Sequence, residues 1–243
     1  MQVETRDPLE APEKQQSSQD GAAAAPQQEE QQPRPRRPRV LLGLSGSVAT
    51  IKAPLLCRCL CEFADVRVIA TAAARRFVGE GQLPPQAGQL LGDEDEWRQW
   101  KQVGDPVMHI ELRRWADALV IAPLSANTLA KAAGGLCDNL LTCVVRAWDF
   151  DRPLLVAPAM NTLMWDSPFT RRHLDALAQL GVAVVPPVGK RLACGDVGLG
   201  AMAAPEAVAA AVAGALRRRY GGGAPDGAGM ELPAGPPEAL GGA

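Results

Sequence analysis

Residues 156–168 read VAPAMNTLMWDSP. Asn161 follows an apolar run of strand type, stands between Met160 and Met164, and has Trp165 four residues on. Packing alone gives little reason for an amide at that point. A second stretch, HIELRRWAD, begins with His109, one of only two histidines in the chain. A histidine can take or give a proton near neutral pH, so His109 is a candidate acid or base, with a structural histidine as the alternative. His173, between Arg172 and Asp175, suits a solvated helix face instead. A third stretch, RLACGDVGLGAM at 191–202, puts three glycines around Asp196 directly after Cys194. This spacing predicts a flexible loop, and a thiol on such a loop is better placed to react than one inside a helix. A plain turn with an incidental cysteine is the other reading.

These side chains need elements to position them. Apolar runs of four to six residues occur at 39–44, 66–71, 118–122, 154–157 and 182–185. Runs without alternation suit strands covered on both faces, as in a parallel sheet. Helical spacing links them over 48–63, 128–145, 168–180 and 204–219. Strand–helix alternation of this kind predicts a doubly wound α/β fold, Rossmann-like, with a mostly parallel sheet. The stretch 79–111 is too long and polar for an ordinary connection and is expected to be a functional or interface loop.

In such sheets ligands collect at the carboxyl ends of the strands. The residues there are Ser45, Gly46 and Ser47 after the first run and Thr71 at the end of the second. Pro123, Leu124, Ser125, Ala126, Asn127 and Thr128 follow the third, and Pro158, Ala159, Met160 and Asn161 the fourth. Hydroxyls, amides and small residues stand at all four ends, with no carboxylate among them. The GLSGS turn opens a helix, where free N–H groups suit a phosphate. It is not GxGxxG, and Thr71 stands where a ribose-binding acid would be, so a mononucleotide is favoured over a dinucleotide. Ser47 and Ser125 read equally well as helix N-caps.

Composition narrows the function classes. The chain has 243 residues, 47% of them apolar, and a net charge of −2. Its basic residues are scattered, which argues against a nucleic-acid partner. No run reaches a membrane span, and Glu4, Asp7, Glu10, Glu13 and Asp20 argue against a secretory leader, so a cytoplasmic protein is expected. Residues 1–38 and 221–243, rich in Gln, Pro, Ala and Gly, are expected to be disordered tails around one domain at 39–220. Cys57, Cys59 and Cys61 cannot converge on one metal from a helix, and with Cys137 and Cys143 they are expected to be buried, reduced thiols. No metal site is expected.

The GSVA turn, His109 ahead of WAD, the PAMNTLMW block and the CGDVGLGAM flap, in that order, resemble the flavin-containing cysteine decarboxylases. The resemblance spans 39–219 and is most specific at PxMNxxMW. It is greatest to the family members that act in coenzyme A synthesis. The resemblance implies a homotrimer with FMN at subunit interfaces and a small-molecule substrate, 4'-phosphopantothenoylcysteine, decarboxylated to 4'-phosphopantetheine. It implies that Ser45, Gly46 and Ser47 meet the flavin phosphate, with Thr71, Phe77, Ser125, Ala126, Asn127, Thr128 and Ala159 around the cofactor. Asn161 and Met164 would bind substrate, Asn161 at its carboxylate; His109 would be the base, and Cys194 a proton donor. Loss of carbon dioxide would pass through a thioaldehyde, which supplies an electron sink β to the carboxylate. Other readings within the same fold family are a non-catalytic phosphatase-regulating subunit, which would carry a long acidic tail, and a peptide-cysteine decarboxylase.

Overall fold

A computed structural model of the chain describes residues 36–191 and 197–221. The five apolar runs form strands: β1 (Arg39–Leu44), β2 (Asp65–Ala70), β4 (Ala118–Leu124), β5 (Leu154–Pro158) and β6 (Ala183–Val184). A further two-residue strand, β3 (Leu90–Leu91), joins them at one edge. The six pair in parallel in the order β3-β2-β1-β4-β5-β6. This is the doubly wound order, and its topological switch point lies between β1 and β4.

Helices cover both faces. Val40, Leu42 and Leu44 face one core layer, where α1 (Ala53–Cys61) and α8 (Pro205–Tyr220) supply Leu56, Leu60, Val208, Val212 and Leu216. Leu41 points the other way, into the layer built on α3 (Met108–Trp115), α4 (Ala126–Ala133), α5 (Leu140–Arg146) and α7 (Pro168–Gln179). Successive strand side chains alternate in direction, so burial on both faces requires the uninterrupted apolar runs. Two short helices complete the set: α2 (Asp93–Gln99) and α6 (Thr162–Trp165).

Four expectations are corrected. The helix expected over 128–145 is two helices, broken at Gly134 and Gly135 and restarted by Asn139, whose side chain accepts from Thr142 N at 3.0 Å. The stretch 79–111 is not a bare loop: it contains β3, α2 and the start of α3, because Arg75 binds Leu90 O at 2.6 Å and Asp95 at 3.2 Å. Of the glycine-rich 191–202 segment, residues 197–201 form β8 (Val197–Ala201), which pairs antiparallel with β7 (Val188–Arg191), while residues 192–196 lie outside the described residues. Backbone pairing and docking on β5's exit order residues 197–201, whose composition promised only flexibility. Cys137, expected to be buried, is exposed; Cys57 is buried, and Cys59, Cys61 and Cys143 are half-buried free thiols.

The described region begins three residues before the expected domain edge. Arg36 pairs with the buried Asp117 through two contacts, 2.6 and 2.8 Å, and Asp117 also accepts from Arg39 N at 2.8 Å. Residues 1–35 and 222–243, which make up nearly all of the two expected tails, lie outside the described residues, as does Cys194. Among the described residues, no helix is long and apolar enough to cross a membrane, and no cluster of three or more His, Cys, Asp or Glu could hold a metal ion.

Candidate functional site

The carboxyl ends of β2, β1, β4 and β5 lie side by side, and hydrogen bonds tie each to the next. Thr71 N donates to Leu44 O at 3.0 Å. Ser45, fully buried, donates from Oγ to Pro123 O at 2.8 Å and accepts from Ser125 N at 2.7 Å. Its own carbonyl takes the Thr50 hydroxyl at 2.9 Å. Ala159 N donates to Leu124 O at 2.9 Å, and Met160 N to Gly200 O at 2.9 Å. One belt of bonds thus runs across the switch point from β2 to the β7-β8 hairpin. Ser45 latches it together; with its hydroxyl so engaged, it holds the crevice in shape.

Ser47 caps the 3-10 turn Val48–Lys52, its hydroxyl accepting from Ala49 N, and α1 follows only at Ala53. Gly46 has a spatial reason: a Cβ there would lie 2.6 Å from the Ala73 Cβ. The turns after β1 and β2 therefore touch, which brings Ser47 toward Thr71 and Phe77. Thr71 is buried, accepting from Ala74 N at 3.2 Å, while Phe77 is 36% exposed. After β4, Ser125 caps α4: its Oγ accepts from Thr128 N at 3.3 Å and lies 3.2 Å from the Thr128 hydroxyl. Ser125 and Thr128 are buried in that cap, Ala126 is half-buried and Asn127 is exposed. Ala159, at the end of β5, is buried.

Asn161 caps α6, accepting from Leu163 N at 2.8 Å through Oδ1. The cap orients the amide at the exit of β5, and Met164, 48% exposed, sits on the short helix behind it. Local capping is thus part of the answer to why an asparagine stands here.

His109 lies in the first turn of α3, which leads back along the sheet into β4, so that turn is at the carboxyl edge. Its partner is Glu96 of α2: Nδ1 lies 2.6 Å from Glu96 Oε1, and the His109 backbone N–H donates to the same oxygen at 3.3 Å. Sequence reasoning missed Glu96. The one signal was the acidic run DEDE at 93–96, which reads as an ordinary helix start. His173 is half-buried on α7 and stacks on Phe169 with ring centroids 6.4 Å apart.

Neutral polar groups, close-packed small residues and the Ser47 turn, with no carboxylate at the four strand ends, suit a phosphate-bearing planar cofactor. A sheet of this order with such a crevice at its switch point is that of a doubly wound nucleotide- or cofactor-binding α/β protein. Residues 27–217 match the family model described as Flavoprotein. The chain is 62% identical over 174 residues to phosphopantothenoylcysteine decarboxylase of Arabidopsis thaliana, covering 72% of this chain and 83% of that protein. Among solved structures it resembles a cysteine-to-serine mutant of PPC decarboxylase complexed with pantothenoylaminoethenethiol. That match has TM-score 0.71 and 60% identity, over 73% of this chain and 97% of the other. The FMN-binding protein AtHal3 follows at TM-score 0.69 and 61% identity, over 73% and 95%. The chain belongs to the flavoprotein family, among its phosphopantothenoylcysteine decarboxylases.

Proposed function

We propose that this protein decarboxylates 4'-phosphopantothenoylcysteine to 4'-phosphopantetheine, a step of coenzyme A synthesis, with FMN in the crevice between β1 and β4. The observation that carries the reading is the 62% identity to an enzyme of that name over most of both chains. The crevice is consistent with it. Ser47 and the turn around Gly46 would take the phosphate, and Thr71, Phe77, Ala126, Asn127 and Ala159 would line the ring. Ser45, Ser125 and Thr128 would hold those groups in place through their mutual bonds. When bound, FMN supplies reversible two-electron chemistry, so the cysteine side chain can pass through a thioaldehyde while the net reaction stays redox-neutral.

The chain's own residues would divide the remaining work. His109 takes the thiol proton of the substrate as its side chain is oxidised. Asn161 would bind the carboxylate through its neutral amide, and Met164 would pack beside the substrate. A neutral amide holds the carboxylate without stabilising its charge, whereas an arginine would favour keeping it. The thioaldehyde then accepts the electrons as carbon dioxide leaves, and an ene-thiol remains. Cys194 donates the proton that completes the saturated product. A cysteine-to-serine mutant of the solved relative was captured with pantothenoylaminoethenethiol, the kind of unsaturated thiol this scheme leaves before protonation.

The reading includes a homotrimer in the cytoplasm. Val48, Ile51 and Leu55, at helical spacing along the first turn and α1, are 46%, 61% and 38% exposed, a stripe that a subunit contact would cover. Carbon dioxide release from phosphopantothenoylcysteine and from a peptide ending in cysteine, each assayed with the purified full chain, tests the proposal. Turnover of the first alone is expected. Turnover of the peptide alone would transfer the assignment to peptide maturation, and turnover of neither would remove it.

A further inference from the structure

We infer that Glu96 is a positioning residue for His109, fixing which ring nitrogen carries the proton. The inference rests on His109 being the base.

The two contacts to Glu96 Oε1, from the ring Nδ1 and from the backbone N–H, have different consequences. An ionised carboxylate only accepts hydrogen bonds. A neutral ring 2.6 Å away must therefore carry its hydrogen on Nδ1, which leaves the lone pair on Nε2. That is the form in which an imidazole can take a proton from a thiol. The backbone bond adds orientation. Val107, at the N-cap of α3, makes no side-chain cap bond, and Glu96 fills that role from α2. One oxygen thus anchors both the helix start and the ring that the helix carries.

The anchor is itself held. Asp93 of the same helix accepts from Leu140 N at 2.7 Å, joining α2 to the start of α5. Asp95 accepts from Gly92 N at 2.9 Å and from Arg75 at 3.2 Å, and Arg75 also binds Leu90 O of β3. The acidic run therefore fastens α2 to α5 and, through Arg75, to β3, and presents Glu96, whose side chain is only 12% exposed, at a constant place. Fixed rotamers supported in this way are what a catalytic group needs from its surroundings.

Glu96→Gln separates positioning from packing. Glutamine has the same shape, but its amide can donate as well as accept, so it permits either tautomer. The probe is the full-length, FMN-loaded protein with 15N-labelled histidine. His173→Gln assigns the two rings, and long-range nitrogen–proton correlations at pH 8 report each tautomer. The wild type is expected to show His109 protonated on Nδ1 and bare on Nε2. Glu96→Gln should show a mixture, keep its FMN content and urea midpoint, and slow substrate-dependent bleaching of the flavin by at least about tenfold. Loss of the base itself would cost about 10²- to 10⁴-fold. A wild-type ring with its proton on Nε2 overturns the inference, whatever the variants do. So does a Glu96→Gln protein whose tautomer and bleaching are unchanged while His109→Asn no longer bleaches. Normal bleaching by His109→Asn would instead remove the assignment of His109 as base, which is the premise.

Discussion

Substituting Gly200 tests whether the β7-β8 hairpin is locked onto the exit of β5. Gly200 has φ +143°, a conformation that side chains of L-residues rarely adopt, and its carbonyl accepts from Met160 N at 2.9 Å. An added Cβ would stand 2.3 Å from Met160 O and 3.4 Å from the Asn161 carbonyl carbon. The obstruction is backbone, so it cannot swing aside as a side chain would, and the strands must separate by roughly 1 Å to restore ordinary contact. Overpacking of this kind costs about 1–3 kcal/mol, and holding a non-glycine residue in such a conformation adds about 1–3 kcal/mol. The hairpin can relieve both by lifting off, so the loss should be local. In Gly200→Ala, exchange of the Met160 amide hydrogen should rise by about 30- to 100-fold, equivalent to about 2–3 kcal/mol. Amides in β1, β4 and β5 should keep their protection. Carbon dioxide release should fall with FMN retained, because the segment carrying Asn161 would lose the support of the hairpin. Unchanged protection at Met160 would refute the reasoning, as would a loss spread evenly over the sheet.

Three further outcomes are expected. Asp117→Asn removes the countercharge of Arg36 from a site where the carboxylate is 3% exposed, and urea unfolding should show a loss of about 2–4 kcal/mol; an unchanged midpoint would mean that the pair contributes nothing. Burial above all, then the nearby Glu96 carboxylate, pushes the Cys143 thiol up to about 11. Because only the thiolate is alkylated readily, labelling of Cys143 by iodoacetamide, followed by mass spectrometry, should be negligible at pH 8 and climb until about pH 11; a plateau by pH 9 would contradict this. Cys194→Ser should release carbon dioxide for about one turnover and yield the ene-thiol in place of the saturated thiol, since an alcohol is a far weaker acid than a thiol. Anaerobic rapid-mixing and mass analysis check it, and normal turnover would make that cysteine structural.

The apolar runs by themselves determined that β1, β2, β4, β5 and β6 are strands of a parallel sheet with helices on each side; the burial on both faces that they implied holds for β4 and β5, whereas both residues of the edge strand β6 are exposed. The caps at Ser47 and Ser125 were equally legible, because each bonds an N–H group two or three residues ahead, whereas the cap at Asn161 emerged only in the structure. Local signals of this kind need no knowledge of the rest of the fold. That the polar and small residues after β1, β2, β4 and β5 lie along one edge was also legible, since parallel strands must all end on the same side. Tertiary structure decided the rest. β3 has two residues, too few for any periodicity, and depends on Arg75 and on pairing with β2. Gly198 and Gly200 carry no strand preference, and their order comes from the pairing of β8 with β7 and from docking on Met160. The bonds of Ser45 to Pro123 and Ser125 join residues about eighty positions apart. Glu96 meets His109 only because α2 and α3 pack against each other. A hydrogen bond between distant residues depends on orientations to within tenths of an ångström, and those are set by packing, which no short stretch of sequence contains.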